Sequence, residues 1–73
     1  MGTYSTIILL PAGSTSTSAI LQMGDGTDLR TKNTPGGISL MGTISSDLAK
    51  DDLRAEIIRQ APDTKQILIG TGL

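Results

Sequence analysis

Ser46–Gly72 reads SDLAKDDLRAEIIRQAPDTKQILIGTG, and it contains the one clear helical pattern in the chain together with the most apolar late strand. Leu53, Ile57 and Ala61 recur every four residues, with Ile58 beside them, which lines one helix face. Ser46 is placed to cap the start. Asp47, Asp51 and Asp52 sit early, where the positive end of the helix dipole favours carboxylates. Lys50 and Arg54 fall near the apolar face, so regular helix is expected from about Asp51. Arg59 lies in the last turn, and Pro62 ends the helix because it has no N–H to continue the ladder.

A short polar turn, Pro62-Asp63-Thr64, leads to Gln66-Ile67-Leu68-Ile69. This run has no polar alternation and predicts a strand covered on both faces. A helix feeding such a strand is the second half of a crossover unit. Gly70-Thr71-Gly72 then releases the strand.

Working outward, the 73 residues make one small domain, 1–73. A chain of this size buries only about 60% of its unfolded surface. It has no Cys, so neither a disulfide framework nor a thiolate metal site can add stability. It also lacks His, Trp and Phe, and Tyr4 is the sole aromatic residue. The core must be built from Ile, Leu, Met and Ala, and oligomerisation is the remaining route to extra stability.

The net charge of −1 and a pI near 4.9 argue against nucleic acid and anionic membranes as partners. No apolar run approaches the ~20 residues of a membrane span. Ile7–Leu10 is too short, and lacks the basic flank, for a signal peptide. The expected location is the cytoplasm, of a cell or of a virus-infected cell, without secretion. Met1–Thr6 fits the tolerant myristoylation pattern, but no second membrane signal accompanies it.

Charge is unevenly placed. Every charged residue falls in one of two blocks, Asp25–Lys32 and Asp47–Lys65, leaving Met1–Gly24 and Asn33–Ser46 neutral. A free monomer normally scatters charge over its surface and along its strand edges. Neutral strands therefore point to surface that meets another chain. The competing reading is that Ser and Thr hydroxyls solvate these segments.

Thr3–Leu10 reads as a strand closed by Pro11, and Ala12–Ser18 as a low-complexity loop. Ser18–Met23 and Thr27–Lys32 flank Gly24-Asp25-Gly26, which predicts a hairpin. Asn33–Gly37 is a second turn, and Ile38–Ile44 a further strand with Ile38, Leu40 and Ile44 inward and Gly42 marking a bulge. The expected order is β-β-β-β-α-β. This is an α+β domain: a small mixed or antiparallel sheet of about five strands with one helix on one face. The uncovered face is where a partner is expected.

Catalytic chemistry finds little footing. Gly70, Thr71 and Gly72 could offer backbone N–H groups to a small anion or nucleotide phosphate, but no helix opens after them as phosphate loops require. Gly24–Asp28 resembles a fragment of a calcium turn with only two carboxylates, too few for Ca²⁺. Asp52 and Glu56 stand one turn apart on a solvated face beside Arg59, with nothing to raise a pKa. Serines are many, but no His is present to activate one. The expectation is no enzyme, no cofactor and no metal.

Thr6–Pro11, TIILLP, and Ile67–Gly72, ILIGTG, together with the helix between, resemble a family of small α/β domains of poorly defined function. That family includes a mitochondrial respiratory complex I assembly factor, and its members show a strand ending in proline, then a helix and an apolar strand ending in G-T-G. The resemblance implies an assembly or binding role and carries no catalytic residues with it.

The leading expectation is a non-enzymatic structural or assembly subunit, pairing with itself or with a larger scaffold. A virion or shell component suits the Gly/Ser/Thr-rich, cysteine-free composition. The alternative is a regulatory adaptor that adds a strand to a protein partner. The expected interface is Tyr4, Thr6, Ile7, Ile8, Leu9, Leu10, Ile67, Leu68 and Ile69.

Overall fold

The computed structural model describes residues 2–71. Its elements are β1 (Gly2–Leu10), α1 (Thr17–Leu21), β2 (Gly26–Thr34), β3 (Gly37–Ser46), α2 (Lys50–Gln60) and β4 (Gln66–Thr71). The chain is α+β, as expected. The sheet is wholly antiparallel with strand order β2-β3-β1-β4. Among the described residues there are four strands and two helices, rather than about five strands and one helix. Since β1 and β2 both run opposite to β3, they are parallel to each other across it. The same holds for β3 and β4 across β1. Each helix therefore serves a crossover that skips one strand, the split β-α-β arrangement of ferredoxin-like sheets.

The missing strand is Ser18–Met23. Its residues lie in and just after the one-turn helix α1, and Gly24-Asp25-Gly26 joins that helix to β2 instead of closing a hairpin. Ile20 and Met23 are three residues apart, so one helical turn buries both against the sheet. Gly24 accepts φ +72 at the junction, and the Asp25 N–H donates to the Ser45 carbonyl at 2.8 Å, tying the start of β2 to the end of β3. The hairpin forms one segment later. Pro35 and Gly36 connect β2 to β3, and the Thr34 hydroxyl donates to the Gly37 carbonyl at 2.9 Å.

At Gly42 the ladder is unbroken on both sides, to Thr6 and to Leu29, so no bulge occurs. The glycine serves close approach instead. At φ +153, a Cβ would collide with the Asp28 carbonyl oxygen of β2.

The α2 helix begins at Lys50 with Ala49 in the cap position and no side-chain cap. Ser46 does not cap it. Its hydroxyl accepts from the Leu48 N–H at 3.1 Å, in the link before the helix. Tyr4 pins that same link by donating its phenol proton to the Leu48 carbonyl at 2.7 Å. The helix stops before Ala61-Pro62, where the proline requires it.

The core occupies one side of the sheet. Ile8 and Leu10 of β1, Leu40 and Ile44 of β3, and Ile67 and Ile69 of β4 face Ile20, Met23, Leu53, Ile57 and Ala61. Both helices pack on this side, so β4 is covered on one face only. Ile67 and Ile69 are 6% exposed while Leu68 between them is 51% exposed. The continuous apolar run masked an ordinary alternation. No described helix is long and apolar enough to cross a membrane.

Candidate functional site

The helix-free face of the sheet is the candidate site, and register sets its composition. The first cross-strand row is Arg30–Met41–Ile7–Leu68. On one side lies Asp28–Thr43–Ser5–Gly70, and on the other Lys32–Ser39–Leu9–Gln66. Side chains on one sheet face alternate along each strand, so these rows share the face opposite the core.

The central row is unusual in its exposure. Met41 is 55% exposed, Leu68 51% and Ile7 40%, and they stand on three adjacent strands with Leu9 half-buried next to them. Single exposed apolar residues are ordinary on a protein surface, whereas a contiguous group marks a contact site. Hydroxyls rim the strip at Ser5 and Thr43. Within these rows charge comes from β2, at Asp28, Arg30 and Lys32, and Lys50 and Arg54 of α2 border the same surface at its β4 side. No aromatic side chain lies on this face. Tyr4 belongs to the core side with its phenol on Leu48, so the face lacks the stacking platforms of single-stranded nucleic-acid binders.

The nine residues expected at the interface divide by face. Ile7, Leu9 and Leu68 point outward. Ile8, Leu10, Ile67 and Ile69 are in the core and Thr6 is 1% exposed, so these five are unavailable to a partner in the folded chain. Tyr4 is half-buried against the core side, away from the helix-free face. Met41 belongs to the strip although it is not among the nine; its alternation with the inward Ile38 and Leu40 is the signal that points it outward.

Strand addition through β1 is also ruled out by topology. Both of its edges are paired, to β3 and β4, so the neutral strand is central rather than exposed at an edge. Among the described residues, only β2 and β4 present bare edges.

The carboxylate pair and the glycines resolve in the same way. Glu56 accepts hydrogen bonds from the Arg59 guanidinium, one of them 3.2 Å from Nε, and from Gln60 Nε2 at 3.0 Å. The Arg59 hydrogen bond is the main cause that holds the Glu56 carboxyl below its ordinary range, and the Gln60 bond adds to it. A group lowered in the folded state stabilises fully above its unfolded pKa and loses that contribution as pH falls through the lowered value. Thermal unfolding of Glu56→Gln is therefore expected to show a slightly flatter loss of stability on acidification than the parent. Salt should shrink the difference, since the pair lies at the surface.

Gly70 and Thr71 are ladder residues of β4 opposite Ser5 and Tyr4, so they form no loop around an anion, and Gly72 lies outside the described residues. Among the described residues no three His, Cys, Asp or Glu side chains gather where a metal ion could bind. Compared with known proteins, the chain matches no family model, no curated protein and no solved structure, and the geometry of this sheet face is what carries its functional reading.

Proposed function

We propose that this chain is a non-enzymatic assembly subunit that buries the helix-free face of its sheet against a second copy of itself. The observation that carries this reading is the row Met41–Ile7–Leu68, exposed on three adjacent strands. Covering it removes apolar area from water at about 25 cal/mol per Å². A 73-residue chain with a one-sided core gains from that burial what it lacks inside.

Charge on the face favours a second copy as the occupant. Asp28 and Lys32 lie two residues to either side of Arg30, all three on the same face of β2. A two-fold axis through the central row, perpendicular to the strands, stacks the apolar row on itself. It also brings each Asp28 opposite the Lys32 of the copy, once on each side. Arg30 meets its own counterpart at the rim, where water reaches both. Such a contact is isologous and closes as a dimer.

The strand-addition adaptor has less support. The bare edge of β2 carries Asp28, Arg30 and Lys32, the charged pattern that discourages a further strand. We place the assembly in the cytosol as part of this proposal. A shell or virion subunit is one setting in which a small self-pairing domain of this composition would serve.

Met41→Lys tests the reading at low cost to the fold, because residue 41 is more than half exposed. Light scattering should show the variant at the mass of a single chain while its circular dichroism matches the parent. A variant that keeps the parent's multimeric mass would place the contact elsewhere.

A further inference from the structure

The second bare edge, that of β4, is treated differently from that of β2. Its sequence, Gln66–Thr71 QILIGT, contains no charge and no proline. Short segments of high β-propensity and low charge are the ones that recruit further strands. In an antiparallel strand the N–H and C=O of one residue point to the same side. Arg54 of α2 donates from its guanidinium to the Ile67 carbonyl at 3.0 Å, which identifies the outward side of β4. By alternation, the N–H and C=O groups of both Ile67 and Ile69 face away from β1. Lys50, one turn before Arg54 on the same helix, borders the same surface beside Leu68, Ile69 and Gly70.

We infer that Arg54 guards the bare edge of β4, its cationic head covering the outward Ile67 carbonyl so that a second copy's β4 cannot pair there. Antiparallel pairing of Gln66–Thr71 with itself needs only one kind of chain, so the unguarded edge has its partner in every other molecule. The guard accounts for the position of Arg54 close to the apolar face of α2, beside Ile58 and Ile67, with its head directed to the β4 edge. It also has a consequence for assembly. A chain that pairs through both its sheet face and its β4 edge would grow without limit, and closing the edge leaves a finite assembly. The edge inference stands independently of the face reading, because it concerns growth above whatever mass the parent reaches.

The test compares Arg54→Ala and Arg54→Lys with the parent by light scattering over a concentration series. Circular dichroism checks folding, and residue-resolved amide exchange is measured on each sample. Arg54→Ala is expected to rise in mass with concentration, past the plateau of the parent, with the Ile67 and Ile69 amides slowing at least tenfold as they pair. Arg54→Lys keeps a charge at the edge and is expected to hold the parent's plateau. Three results would each overturn the inference: a folded Arg54→Ala that keeps the parent's plateau, association that leaves those two amides as fast as in the parent, or growth of Arg54→Lys equal to that of Arg54→Ala. Should Arg54→Ala fail to fold, Arg54→Gln replaces it, with the same readouts and the same results for and against.

Discussion

Ile8→Lys is expected to unfold the chain, whereas Ile7→Lys is expected to leave it folded and strip it of self-association. The two residues are neighbours of identical type on the central strand, and they differ only in which face they enter. Ile8 is 0% exposed and pairs in register with Leu40 and Ile67, beneath both helices. A lysine there loses roughly 1.5–3 kcal/mol of apolar burial and leaves an unpaired ammonium whose desolvation costs several kcal/mol more. The total stability of a domain of this length is on the order of 4–11 kcal/mol. Ile7 is 40% exposed between Met41 and Leu68, so a lysine there reaches water in the free chain. In the proposed dimer it would place a charge in the middle of the apolar strip, opposite its own copy. Far-UV circular dichroism separates the first outcome, and light scattering the second. Equal behaviour of the two variants would remove the assignment of faces on which the site rests.

Gly42→Ala should be the most damaging small substitution in the sheet. The residue adopts φ +153, and the added methyl would strike the Asp28 carbonyl oxygen in the neighbouring strand. Backbone strain of this kind costs about 1–3 kcal/mol, and displacement of β2 from β3 adds to it. Asp28 and Leu29 flank the point of collision, so the damage is expected to spread along β2 while β1, β4 and α2 stay paired. Amide exchange should then speed up across residues 26–34 well before the rest of the sheet responds. Unchanged exchange in β2, with a melting temperature equal to the parent's, would show that the strands separate enough to admit a Cβ at no cost.

Much of this architecture is legible in the sequence where one signal dominates. Leu53, Ile57 and Ala61 fix the inward face of α2, and Pro62 fixes its end, both as read from spacing and backbone chemistry alone. The bare sheet face follows from too few helices to cover it. The Ser18–Met23 segment behaves differently. Its apolar residues Ile20, Leu21 and Met23 fit both a strand and a helical turn, and the contact of Ile20 with the core decides in favour of the turn.

The composition of the site is obscured for a related reason. Ile7, Ile8, Leu9 and Leu10 are all apolar, so alternation within β1 cannot show which of them meets the helices. The ladders to β3 and β4 supply that information, and they also place β1 at the centre of the sheet instead of at an edge. A neutral strand therefore signals burial between two neighbours as well as a contact surface. Met41 joins the strip only once the register sets it beside Ile7. The guarding role of Arg54 is hidden because its contact is with a backbone carbonyl, which no side-chain pattern encodes.

The most direct test of the central claim is the molar mass of the unaltered chain in solution, measured by size-exclusion chromatography with light scattering over a concentration series. Burial of the helix-free face predicts a plateau at twice the 7.6 kDa chain mass that persists on dilution. A mass of one chain at every concentration would contradict it, leaving Met41, Ile7 and Leu68 as surface for a different partner.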